Sequence, residues 1–187
     1  RSITITSKDI DYTGNMKSPV KSLSKFNSTE RIAELNALYA DKTNAEKQAM
    51  YKDFNWDKVV ERPKVVYNKK TDKYVMWWHQ DGPIAGQYWT AEGGVAISDS
   101  PSGPFKYLGT FRLPNKGSSN GNEGMLRDMT LFVDDDGNDA TDDSAYLVYA
   151  SEENYTTVIT KLNADYTGPS LSGANGQAVE GTDYVRA

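Results

Sequence analysis

A chain of 187 residues is long enough for one or two domains and a sizeable core. Its net charge of −5, without a Lys/Arg cluster, excludes a phosphate-tracking surface and makes nucleic acid an unexpected partner. No cysteine is present, which excludes disulfides and thiolate metal sites, and no apolar run reaches membrane-spanning length.

Hydrophobic content is only 37%, so the core must be economical, and the 12 Tyr and 4 Trp supply large buried areas for few positions. A Tyr-, Trp-, Gly-, Asp- and Asn-rich chain suits sugar binding; it equally suits a β-rich domain that uses aromatics as strand formers.

In chain order, Ile3–Asp9 alternates in the manner of a strand, and Asp11–Gly14 closes it as a turn. Residues 15–29 are Ser- and Lys-rich and read as loop. Over 29–54 the period changes. Thr29 caps a predicted helix carrying Ile32, Leu35, Leu38 and Tyr39, and Thr43 or Asn44 starts a shorter one carrying Ala45, Met50, Tyr51 and Phe54. This is a helical insertion between β elements.

Beyond it the pattern is β. Pro63–Asn68 and Tyr74–His79 form a predicted hairpin around Lys69–Asp72. Gly93-Gly94 leads into Val95–Ser98, and the turn Asp99–Pro104 passes the chain to Phe105–Phe111. After a Gly/Asn/Ser-rich loop over 114–124, Met129–Val133 and Ala145–Ala150 make a second hairpin, followed by Thr156–Leu162 and a turn over Ala164–Gly168. Pro169–Thr182 is again loop-like.

There is also an internal repeat. Ile5–Lys8 with Asp11–Gly14 is similar to Ile159–Leu162 with Asp165–Gly168, and Val95–Asp99 with Pro101–Pro104 is a looser copy. Repeated sets of hairpin, strand and turn are the pattern of propeller blades. A β-sandwich with irregular loops is the alternative.

Four pieces in order carry a family resemblance: Glu61-Arg62-Pro63-Lys64-Val65; Tyr74-Val75-Met76-Trp77-Trp78-His79; Gly94–Phe105; and Arg127-Asp128-Met129-Thr130-Leu131-Phe132. Together they resemble glycoside hydrolase family 43, and within it the exo-β-1,3-galactanase branch, over about residues 56–168. The resemblance implies an all-β, five-bladed β-propeller, with residues 1–187 a partial catalytic domain of about three blades. The innermost strands of the first blade are then expected ahead of Arg1, and the remainder of the propeller is itself an expected partner.

The implied activity is inverting, exo-acting release of galactose from β-1,3-linked galactan, in the breakdown of plant arabinogalactan. An α-L-arabinofuranosidase or β-xylosidase of the same family, or a non-catalytic carbohydrate-binding propeller, are the alternatives. By resemblance, Asp128 matches the aspartate that modulates the general acid's pKa. Glu61 matches a sugar-contacting glutamate, Tyr88 a sugar-contacting tyrosine, and Asn154 is a hydroxyl-binding candidate. Trp77, Trp78 and Trp89 include candidate sugar platforms, although alternation forbids Trp77 and Trp78 from sharing a face; Trp78 is the one assigned to substrate.

The family's acid motif is expected near Tyr184-Val185-Arg186-Ala187, with the glutamate just beyond or Ala187 in its place, and Glu180 as a fallback. No catalytic base is identifiable. The lone His79, ending a strand, reads as a structural residue.

No cofactor is required by such chemistry. Asp134–Asp139 with Asp142-Asp143 invites a calcium reading, but Ala145 stands where an EF-hand has its bidentate glutamate. The expected setting is secreted, cell-surface or periplasmic, in a bacterium.

Overall fold

The computed structural model describes residues 37–43, 45–46, 49–50, 59–82, 88–114, 124–134 and 143–187. Contacts divide the chain into Arg1–Lys58 and Val59–Ala187. In the first unit, residues 37–38, 45–46 and 49–50 are helical. Thr43 opens the second helical stretch with a reciprocal capping box. Its hydroxyl accepts from the Glu46 N–H at 3.2 Å while Glu46 Oε2 accepts from the Thr43 N–H at 2.7 Å. The expected strand Ile3–Asp9 and the first helix start at Thr29 lie outside the described residues.

The second unit is built from two four-stranded antiparallel sheets in plain meander order. The first joins β1 (Val59–Asn68), β2 (Lys73–Asp81), β3 (Glu92–Ser98) and β4 (Lys106–Phe111). The second joins β5 (Arg127–Asp134), β6 (Ser144–Ser151), β7 (Thr156–Lys161) and β8 (Tyr184–Arg186). In each, the turn that the sequence repeat marks follows the third strand: Asp99–Pro104 after β3, and residues 163–168 after β7. Two blades are thus described.

Strand β1 runs from Val-rich ends into a turn that Asn68 closes, its Oδ1 accepting from the Thr71 N–H at 2.9 Å. Strand β2 is almost wholly buried, because it has a neighbouring strand on each side and side-chain partners on both faces. Trp77 enters the core between the sheets with Val95, Leu126, Met129, Leu147, Tyr149 and Tyr166. It stands edge-on to Phe111 at 5.3 Å and donates from Nε1 to the Tyr166 carbonyl at 2.8 Å.

The Gly93-Gly94 pair makes room for these indoles. A Cβ on Gly93 would meet Leu126 Cδ2 at 2.8 Å and Trp77 at 3.2 Å; one on Gly94 would meet Trp78 at 2.1 Å. The two tryptophans lie on opposite faces, and both faces are filled. A last anchor is Asp183, which gathers the loop after β7 by accepting from the Ser170 and Ser172 hydroxyls and from the Ser172 and Val179 N–H groups, all within 3.0 Å.

The inner strands β1 and β5 pack beside one another. That adjacency places Glu61-Arg62 and Arg127-Asp128 at one end of the sheet pair.

Candidate functional site

Both inner strands break register near their starts, β1 between Glu61 and Lys64 and β5 between Arg127 and Thr130. Pro63, which has no N–H to give a ladder, sits in the first irregularity. At each break a non-glycine residue takes the left-handed conformation: Arg62 at φ 53° and Asp128 at φ 45°. Backbone of this kind costs on the order of 1 kcal/mol per residue and collects at functional sites. A bulge re-aims the side chain beside it. Here the Arg62 and Asp128 side chains meet, with Nε to Oδ1 at 2.6 Å.

The link between β6 and β7 supplies the third wall. Glu152, Glu153 and Asn154 are also left-handed, at φ 50°, 60° and 68°. Glu61, Arg62, His79, Tyr88, Arg127, Asp128 and Asn154 line one pocket of about 370 Å³. Of the residues singled out in the sequence, Glu61, Tyr88, Asp128 and Asn154 therefore come together from separate segments.

Hydrogen bonds and charge organise the walls. The Tyr88 hydroxyl donates to Glu61 Oε1 at 3.1 Å; this bond, and then the glutamate's charge, push the phenol above its ordinary pKa. Arg127 is only 4% exposed. Its guanidinium donates to Glu153 Oε2 at 2.8 Å and to the Tyr88 carbonyl, and its Nε stands 3.8 Å from Asp81. Two guanidiniums thus line the pocket that holds the Glu61 and Asp128 carboxylates, the exposed Arg62 paired with Asp128 and the buried Arg127 held by Glu153 and the Tyr88 carbonyl. Glu61 is paired with Tyr88, whereas Arg62, its sequence neighbour, reaches across to the other blade.

Three assignments change. Trp78 does not offer a sugar platform. It is 2% exposed, its ring is tilted against Tyr107 at 5.8 Å, and its Nε1 donates to Gln80 Oε1 at 3.0 Å. Trp77 is equally buried, so both indoles pack, and of the three candidate platforms only Trp89 is open, at 69%; it is not a pocket residue.

Glu180 stands outside the pocket, 3.6 Å from Arg186. Tyr184–Arg186 forms β8, the fourth strand of its sheet, paired with β7 instead of opening a further inner strand. Ala187 follows it, its N–H donating to Thr157 O at 2.9 Å, and it too is away from the pocket.

Three pocket residues were not foreseen as such: His79, Arg62 as the partner of Asp128, and Arg127. His79 shares a β2 face with Trp77 and Asp81 and stands opposite Glu61 in register. A period-two reading of β2 against β1 was the signal that could have found it. Glu61, His79 and Asp128 each present a ligating atom within 4.8 Å of the others, and among the described residues they are a set able to hold a metal ion. Arg62 already places a cation against Asp128. Most of the Asp-rich run read for calcium, residues 135–142, lies outside the described residues; Asp143 pairs with Lys69 at 3.2 Å.

No family model and no curated protein matches the chain. Solved structures do. A glycoside hydrolase family 43 β-1,3-galactosidase with bound galactodeoxynojirimycin is 32% identical, with a TM-score of 0.54 over 72% of this chain and 45% of that one. An exo-β-1,3-galactanase from Phanerochaete chrysosporium with β-1,3-galactotriose is 38% identical, with a TM-score of 0.51 over 63% of this chain and 24% of that one. An exo-β-1,3-galactanase from Clostridium thermocellum is 35% identical, with a TM-score of 0.52 over 59% and 23%. This chain spans less than half the length of each. With its two antiparallel four-stranded sheets, the chain has the all-β fold of part of a β-propeller and over that part is similar to glycoside hydrolase family 43 β-1,3-galactosidases and exo-β-1,3-galactanases.

Proposed function

We propose that this chain carries the sugar-recognising half of an exo-acting glycoside hydrolase site that releases galactose from β-1,3-galactan with inversion. The observation that supports this most is the convergence of Glu61, Tyr88, Asp128 and Asn154 in one pocket. Pyranose recognition needs acceptors and donors spread over several hydroxyls. Here carboxylates accept, while the Arg62 and Arg127 guanidiniums and the Asn154 amide donate.

In this reading Glu61 and Asn154 hold the terminal galactose and Tyr88 fixes the Glu61 carboxylate. Asp128, ion-paired with Arg62, sets a negative charge beside the general acid, which holds that acid's proton until the leaving oxygen takes it. In an inverting reaction the acid protonates the glycosidic oxygen, the C1–O bond breaks, and a water opposite it adds its oxygen to C1 and yields a proton to a base. The two carboxyls then lie about 6.5–9.5 Å apart. In this reading acid and base come from outside the described residues, among which neither Glu180 nor Ala187 lines the pocket. Proton transfer from one carboxyl to the leaving oxygen, and from water to the other, uses no cofactor. The polymeric substrate, β-1,3-galactan of arabinogalactan-type polymers, puts the place of action at the cell surface, in the periplasm or outside a bacterium.

The test is galactose release from β-1,3-galactobiose. Asp128→Asn should lower kcat by about 100-fold or more, the range for acid–base groups. Unchanged turnover in that variant defeats the assignment. Turnover of arabinofuranosides or xylosides instead of galactobiose would move the substrate to the rival sugars. A second reading, a non-catalytic carbohydrate-binding propeller, is favoured by the pocket's own composition: Glu61 and Asp128 are its carboxylates, and both are engaged by neighbours. Tight galactose binding without hydrolysis would select it.

A further inference from the structure

His79 is the chain's single histidine and is 1% exposed. Its Nε2 lies 3.0 Å from Asp81 Oδ2. Asp81 is fully buried and cannot turn away, because its other oxygen accepts from the Gly82 N–H at 3.0 Å, the Thr90 N–H at 2.8 Å and the Thr90 hydroxyl at 3.3 Å. A carboxylate held in this way accepts a hydrogen bond from Nε2–H, which leaves Nδ1 as the lone-pair nitrogen of the neutral ring. Nδ1 is buried and has no hydrogen-bond partner. It faces the pocket between Glu61 Oε2 at 3.7 Å and Asp128 Oδ1 at 3.8 Å, distances too long for a bond and with acceptors on both sides. The Tyr88 ring, 5.8 Å away, covers the imidazole from one side.

A buried acceptor facing two other acceptors calls for a donor from outside the protein. A metal ion is disfavoured by the guanidiniums of Arg62, 2.6 Å from Asp128, and Arg127, 3.8 Å from Asp81. A sugar hydroxyl is neutral, carries one proton, and fits among the three. We infer that His79 is a sugar-binding residue of this pocket. Its Nδ1 accepts a hydrogen bond from one galactose hydroxyl, with Asp81 acting as the positioning residue that fixes the tautomer. This rests on the proposed function, and it adds a specificity contact to it. A sugar without that hydroxyl leaves Nδ1 unpaired in a buried place, which is how a site rejects a deoxy analogue.

Because there is one histidine, its two ring nitrogens can be followed by 15N NMR in the unaltered protein. Galactose should shift the Nδ1 resonance as its lone pair takes a bond, leaving Nε2 where it was. Calorimetry with each monodeoxygalactose in turn should show about a tenfold loss for one of them. His79→Gln, whose amide still reaches Asp81, should bind galactose about tenfold more weakly and lose that discrimination. His79→Asn, which restores a polar atom near the Nδ1 position, should recover part of it. Galactose binding with an unmoved Nδ1 resonance, or with a protonated Nδ1, overturns the inference and leaves the proposed function standing. No galactose binding by the unaltered protein overturns both. Equal affinity of wild type and His79→Gln for galactose means that water alone satisfies Nδ1, and also refutes it.

Discussion

Substituting Gly94→Ala tests whether Trp78 is packing or a sugar platform. A Cβ there would lie 2.1 Å from Trp78 Cε2, 2.4 Å from Cζ2 and 2.5 Å from Nε1. Carbon atoms in contact rest at about 3.5 Å, so the ring must retreat by about 1.4 Å. It has no free direction: Tyr107 lies beyond it, the residue is 2% exposed, and its Nε1 is bonded to the buried Gln80. Overpacking of this kind costs about 1–3 kcal/mol, and losing the indole's bond adds about 1 kcal/mol. The expected destabilisation is about 3 kcal/mol, a fall in Tm on the order of 10 °C by thermal unfolding followed by tryptophan fluorescence. Trp78→Leu alone should cost about 3 kcal/mol through the cavity it leaves. In combination the two should cost less than their sum by at least about 1 kcal/mol, since the smaller side chain clears the new methyl. Galactose affinity of the folded Gly94→Ala protein should not change. A Tm within about 2 °C of wild type, or strict additivity, would show that the indole does not lie against Gly94.

Further predictions concern the charges. Arg127→Met leaves Glu153 without its partner and Asp81 without a nearby cation, and should destabilise by about 3 kcal/mol in urea unfolding. Tyr88→Phe should raise the KM for galactobiose several-fold with stability within about 1 kcal/mol, because the lost bond to Glu61 is exposed. Burial pushes the Asp183 carboxyl up, but the hydrogen bonds from Ser172, Val179 and Ser170 outweigh it and hold it below its ordinary value. A carboxyl depressed by folding contributes stability above its unfolded pKa of about 3.9 and loses it as pH falls through the lower folded value. Asp183→Asn should therefore unfold more easily at pH 7, with the gap to wild type closing in strong acid. A gap that widens on acidification would contradict the sign.

The strands were legible because period two is a local property. Val65, Val66 and Tyr67 against Lys73–Asp81, or Ala145, Leu147 and Tyr149 on one face of β6, declare themselves without knowledge of the partner sheet. The repeat was legible for the same reason, since both copies within the described residues pair a third strand, β3 or β7, with the turn that follows it. Alternation also showed that Trp77 and Trp78 point apart, but not that both sides of β2 are covered. That depends on Tyr107 on one face and on Leu126 and Tyr166, from the next blade's part of the chain, on the other. His79 and Arg127 were missed because their roles arise from non-local partners. The imidazole is defined by Asp81 and by two carboxylates from different strands, and the guanidinium by the Tyr88 carbonyl and Glu153. Glu61 and Asp128 were visible through resemblance, while the Arg62–Asp128 bond that joins their strands needed the two register breaks to be seen side by side.

The most direct test of the account is a crystal structure of the protein with galactose. The sugar should lie at the starts of β1 and β5, with hydroxyls on Glu61 and Asn154, Tyr88 still bonded to Glu61, and Asp128 facing the anomeric side. A galactose bound away from this pocket, or stacked on Trp89 with Glu61 and Asp128 untouched, would contradict it.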